Sequence, residues 1–133
     1  MNFLLEVPPV GGGVQQGIAF VSPPPDQAPN TGVIVRANTV VGMRDGIVAA
    51  GAPNATRPSI IQSQLSNNVT SDNLRDGIVL RGGNTANAVR GNLAERNGRF
   101  ASLDARDDAR QLNLWIGNRC STDFPEGTIC ASD

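Results

Sequence analysis

A repeat constrains this chain more than any other feature. Asn68, Val69, Asn73 and Arg75 recur 24 positions later as Asn92, Leu93, Asn97 and Arg99. Upstream, Met43-Arg44-Asp45-Gly46-Ile47-Val48 matches Leu74-Arg75-Asp76-Gly77-Ile78-Val79. Downstream, Asn113 and Asn118 keep the five-residue spacing of Asn68/Asn73 and Asn92/Asn97. Self-similarity with a period in the twenties means that one small unit stacks on copies of itself, because such a unit cannot bury its apolar face alone.

Composition agrees with a thin, repetitive interior. Aromatic residues make up 4% and charged residues 17% of the 133 positions, so small and β-branched side chains must fill the core. One domain is expected over 1–133, with 118–133 as a C-terminal cap. The short β-rich runs bounded by turn residues, such as Val33-Ile34-Val35, Asn38 to Val41 and Gly46-Ile47-Val48, read as strands. No segment keeps helical periodicity. Within a run the apolar positions alternate, with Ile78 and Leu80 inward and Val79 outward. The reading is an all-β, single-stranded parallel β-helix of about five coils, with neighbouring coils about 4.8 Å apart.

Within that frame the repeated asparagines have a structural task. Asn tolerates left-handed backbone at corners, and its amide can bond to the same residue one coil away, forming a ladder. Gly46 and Gly77 are read as supplying the other sharp corner. Asn68, Asn73, Asn92, Asn97, Asn113 and Asn118 are therefore assigned to the scaffold.

Several absences limit the chemistry. The chain has no His, Lys or Tyr, so imidazole bases, Schiff-base lysines and phenolic acids are excluded. Cys120 and Cys130 lack four-ligand zinc spacing. A disulfide is the better reading, worth about 2–3 kcal/mol in the chain-entropy model, and it places the protein outside the cytosol as a secreted or cell-surface molecule. No signal peptide is visible, so the chain is expected to belong to a longer parent or to have lost a leader. No stretch is long and apolar enough for membrane insertion. A net charge of −1 carries no electrostatic footprint for nucleic acid.

The Asn-x-x-x-x-Asn turns, the Gly-Ile-Val runs and the segment Asn113-Leu-Trp-Ile-Gly-Asn-Arg-Cys120 with a terminal Cys130 resemble right-handed parallel β-helix repeat proteins. The likeness covers about residues 32–130 and is nearest to the C-terminal end of secreted bacterial members. It implies the fold. It does not imply one activity, since the family spans lyases, hydrolases, epimerases and adhesins.

Chemistry is expected on the loops that interrupt the repeat after each Gly-Ile strand: Ser22 to Asn30, Gly51 to Ser59, the Arg81 region and Asp104 to Arg110. Equivalent positions stack, so these loops should line one edge, and insertions confined to one face mark a binding face. Arg57, Arg81, Arg106 and Arg110 are the binding-edge residues, suited to an acidic polysaccharide. Asp104, Asp107 and Asp108 form the acidic cluster. Lyases that resemble this fold pair calcium-bound carboxylates with a basic residue, so these three aspartates with Arg81 are the catalytic candidates, and Asp107 with Asp108 the Ca²⁺ candidates. The competing reading is a solvated turn in which Asp and Arg pair with each other. Trp115, an aromatic that could stack on sugar, is read as a cap on the last coil. Arg44, Arg75 and Arg99 should stack, with Asp45 and Asp76 neutralising the first two.

The functional expectation is a non-catalytic secreted module, structural or polysaccharide-binding. The alternative is a lyase, hydrolase or epimerase acting on acidic polysaccharide. Self-association is expected through the exposed first coil, where strand edges would lack partners.

Overall fold

A computed structural model describes residues 16–21, 28–51, 58, 60–99, 102–109 and 112–130. Its strands are β1 (Gln16–Val21), β2 (Asn30–Thr31), β3 (Ile34–Arg36), β4 (Thr39–Val41), β5 (Asp45–Ala50), β6 (Ile60–Ile61), β7 (Gln64–Ser66) and β8 (Val69–Ser71). There follow β9 (Ile78–Leu80), β10 (Asn84–Thr85), β11 (Ala88–Arg90), β12 (Leu93–Glu95), β13 (Ala105–Asp107), β14 (Leu114–Ile116), β15 (Arg119–Cys120) and β16 (Asp123–Phe124). Every pairing between them is parallel. No helix occurs among the described residues, and none is long and apolar enough to cross a membrane.

Four sheets run along the solenoid: β1-β5-β9-β13-β16, β2-β6-β10, β3-β7-β11-β14 and β4-β8-β12-β15. One circuit of the chain visits the two-residue strand, two three-residue strands and then the five-stranded sheet. The fold is thus a parallel β-solenoid with about three turns, β2–β5, β6–β9 and β10–β13, rather than five. The shortfall has a simple origin: β1 and β14–β16 are incomplete circuits that dock on the two ends. The N-terminal part of the expected first coil, residues 1–15, and residues 131–133 lie outside the described residues.

Register follows the repeat. Ile47 pairs with Ile78, and Val69 with Leu93, the offsets that the matching segments carry. The asparagines form three columns at five-residue intervals. In the middle column the amide Nδ2 of Asn38 donates to Asn68 Oδ1 at 3.0 Å, Asn68 to Asn92 at 2.9 Å, and Asn92 to Asn118 at 2.9 Å. Each Oδ1 also accepts the backbone N–H of the Asn above it, and each second Nδ2 hydrogen reaches a carbonyl such as Val35 or Leu65. Asn68 and Asn92 therefore use all four of their amide hydrogen-bonding positions. The first column joins Ser63, Asn87 and Asn113; the third joins Met43, Asn73 and Asn97.

Two details of the corner differ from expectation. Asn113 and Asn118 stack on Asn87 and Asn92, one corner earlier than their five-residue spacing implies when matched to Asn92/Asn97. Nor are the ladder asparagines themselves left-handed. The residue before each takes that conformation: Ala37, Asn67, Asp72, Ala86 and Arg96 have φ of 53–55°. Each such non-glycine residue costs about 1 kcal/mol, offset by the amide network that follows it. Neither Gly46 nor Gly77 takes a positive φ; what both permit is close approach. A Cβ on Gly46 would collide with the Gly77 carbonyl, and one on Gly77 with the Asn97 amide and the Asp104 carbonyl.

The core is built from inward side chains of each turn, stacked in rows along the axis. Val35, Leu65 and Val89 form one inward row, continued by Trp115 on the last turn, and Ile47 and Ile78 form another. Trp115 is packed against this core, and its indole Nε1 donates to Asp107 at 2.8 Å. It thus closes the apolar column as a cap.

Replacing Asn92 by Ala strands two donors and two acceptors in the interior, since Asn92 is 2% exposed. The expected loss is about 3 kcal/mol or more in chemical denaturation. Asn67→Gly, at the exposed left-handed position beside the ladder, should shift stability by less than about 1 kcal/mol.

Candidate functional site

Three departures from the five-stranded sheet lead to the same neighbouring sheet, β1 to β2, β5 to β6 and β9 to β10, whereas β13 leads on to β14 in the sheet after it. The lengths of these connections differ, while the three-residue strands of the circuit stay in fixed register. Pro23 to Pro25 and residues 52–57 fall in the first two connections and lie outside the described residues, as do Arg57 and Arg110.

The expected acidic cluster separates into three environments. Ala105, Arg106 and Asp107 are strand β13, in register with Ile78, Val79 and Leu80. This strand falls inside the Asp104 to Arg110 stretch expected to be a loop; the corner between β12 and β13 is longer than its equivalent between β8 and β9, and that length sets where the strand begins. Asp107 consequently takes the inward position of Leu80 and is fully buried. Its carboxylate accepts from Asn113 Nδ2, Trp115 Nε1 and the Ala109 N–H. Asp104, 2% exposed, ends the third asparagine column: it accepts from Asn97 N and Nδ2, and its other oxygen from Ser121 N and Thr122 Oγ1. A carboxylate offers only acceptors, and an asparagine ladder ends in unused donors. Asp104 and Asp107 supply what those ends require.

Asp108 differs from both. It is paired with Arg106 at 2.7 Å and lines an open groove of about 430 Å³ with Arg75, Asp76, Val79, Arg81, Ser102 and Arg106. The groove lies on the outer face of the five-stranded sheet. Val79 forms part of its lining, and Arg106 stands on the same outward row one turn on. The Asp108 carboxylate raises the pKa of the Arg106 guanidinium, with burial acting against it and the Asp76 charge adding to it. The Asp76 carboxylate accepts the Leu103 N–H at 3.0 Å. Arg75 and Arg81 are exposed, and neither makes a side-chain hydrogen bond or ion pair with a described residue.

Arg81, Arg106 and Asp108 are thus brought together in one groove, while Asp104 and Asp107 lie in the interior. Arg44 and Arg75 do stack, with Arg75 N–H bonded to the Arg44 carbonyl. Asp45 is fully buried with Arg44 Nε at 3.7 Å and no hydrogen bond to either oxygen.

Three participants escaped sequence reading. Arg75 enters the sequence reading only as part of a charged stripe, and Ser102 does not enter it. Phe124 is in register with Arg106, whose guanidinium lies 6.0 Å from its ring centroid, and the ring is 46% exposed. The only signal for Phe124 is its place two residues past the Ser121-Thr122 bend, which is legible once the register is known.

Below the groove the cap is tied by Cys120–Cys130, with Cα atoms 5.6 Å apart, and by Asp123. Burial raises the Asp123 pKa, but the N–H groups of Gly127, Ile129, Cys130 and Thr128 outweigh it and hold the carboxyl below the ordinary aspartate value. Among the described residues, no three His, Cys, Asp or Glu side chains stand close enough together to hold a metal ion. The chain matches no protein-family model, no curated protein and no solved structure.

Two outcomes follow from these contacts. Asp107→Ala leaves Asn113 and Trp115 donors unpaired and should cost about 1–3 kcal/mol, with a red-shifted Trp115 fluorescence. The depressed Asp123 pKa stabilises the fold above the unfolded value of 3.8, and that contribution disappears as pH falls through the lower folded value. Asp123→Asn should therefore flatten the acid limb of a melting-temperature profile below about pH 4.

Proposed function

We propose that this chain is a non-catalytic, extracytoplasmic solenoid module that contacts polysaccharide along the outer face of its five-stranded sheet. One observation carries the reading: the groove of Arg75, Asp76, Val79, Arg81, Ser102, Arg106 and Asp108, next to the exposed ring of Phe124. Guanidinium and carboxylate groups present directional hydrogen bonds to hydroxyl-rich ligands, and an exposed aromatic ring offers an apolar plane of the kind that sugars stack against. Parallel strands step about 4.8 Å per turn, so the row Val79, Arg106, Phe124 spans about 10 Å of axis, matching an extended chain better than a small molecule.

Support for a non-catalytic role comes from Asp104 and Asp107. Their oxygens are engaged by ladder amides, backbone N–H groups and Trp115, which leaves them poorly placed to exchange protons with a bound sugar. The Cys120–Cys130 disulfide supports residence in an oxidising compartment.

The test is affinity electrophoresis through gels containing neutral or acidic polysaccharides, with ultraviolet absorbance monitored for unsaturated uronate. Retardation by at least one polymer, reduced by Phe124→Ala and without product formation, is expected. Mobility unaffected by every polymer would remove the binding reading, and product formation the non-catalytic one.

A further inference from the structure

We propose that the groove holds an oxyanion of its glycan ligand, a carboxylate or a sulfate ester, directly on Arg75 and Arg81 and without a bridging calcium ion. This rests on the polysaccharide reading and names the chemistry of that site.

The charges of the groove are unequal in availability. Of its two carboxylates, Asp108 is engaged by Arg106 at 2.7 Å, and Asp76 accepts the Leu103 N–H at 3.0 Å. Of its three guanidiniums, only Arg106 is paired; Arg75 and Arg81 present their donors to solvent. The lining therefore offers unfilled donors and no unfilled pair of carboxylates. A divalent cation would need oxygen ligands converging on it, and three guanidiniums around the same space oppose one. An oxyanion meets the opposite situation, since the planar guanidinium fork matches its oxygens.

Position supports the same conclusion. Arg75 precedes β9 and Arg81 follows it, so one strand, Ile78–Leu80, separates the two cations across the width of the sheet. Val79, 1% exposed, lies between them on the outer face as an apolar floor. A charged group set between Arg75 and Arg81 leaves the rest of its sugar directed along the row toward Arg106 and Phe124. Arg106, held by Asp108 on one side and near the Phe124 ring on the other, is fixed in place as a wall of the groove.

The experiment uses the whole chain and three polymers: dextran, dextran sulfate and polygalacturonate. Retardation in affinity gels is compared for the parent, Arg75→Gln, Arg81→Gln and Arg90→Gln, each with and without EDTA. Arg90 is exposed on a different sheet and reports non-specific charge attraction. Dextran sulfate or polygalacturonate should bind, dextran should not, and EDTA should change nothing. Arg75→Gln and Arg81→Gln should each weaken binding about tenfold, as loss of a charge-assisted hydrogen bond does, while Arg90→Gln keeps parent affinity. Which anionic polymer binds separates sulfate from carboxylate. Equal binding of dextran with no effect of Arg75 or Arg81 would overturn the oxyanion site and leave the polysaccharide reading standing. Loss of binding in EDTA, or an Arg90→Gln effect equal to the others, would also overturn it, and binding to no polymer would overturn both.

Discussion

The whole molecule depends on one hydrogen-bonding group, the asparagine side-chain amide at the corner of each turn. A solenoid corner interrupts the strand ladder and leaves backbone groups facing the interior, where an unpaired N–H or C=O costs about 1–3 kcal/mol. The amide of Asn68 accepts two hydrogens from Asn38 and donates to the Val35 carbonyl and to Asn92. One side chain thereby joins three successive turns. Because the same residue repeats below it, the arrangement propagates along the axis, and the thin column of Val, Leu and Ile beside it can remain dry.

A ladder of this kind must also stop. Each asparagine passes a donor to the next, so the end of a column is left with hydrogens to place. Asp104 and Asp107 receive them, and Asp107 receives the Trp115 indole hydrogen as well. The acidic residues that look most chemical in the sequence are in this way consumed by the scaffold. What the scaffold leaves free lies outside, on the face where Arg75, Arg81 and Phe124 project.

The repeat made the solenoid legible before any coordinate, because the offset between Asn68 and Asn92 is the offset between turns. The shared position of the connections β1 to β2, β5 to β6 and β9 to β10 follows from the same stacking. Counting turns was harder, since partial circuits at the ends carry the motif without closing. The strand at Ala105–Asp107 was missed because a longer corner shifted it, and that shift turned Asp107 from an expected loop residue into a core one. Phe124 could not be seen at all from spacing: its significance comes from lying beside Arg106, which only register reveals.

Native-state hydrogen exchange at individual backbone amides tests the corner amide network most directly. The N–H groups of Met43, Asn68, Asn73, Asn87 and Asn92 donate to side-chain oxygens rather than to strand carbonyls. If those oxygens hold the fold together, these five should exchange as slowly as the core amide of Ile78, opening only with global unfolding. Exchange at the rate of exposed turn amides, with Ile78 still protected, would contradict the account.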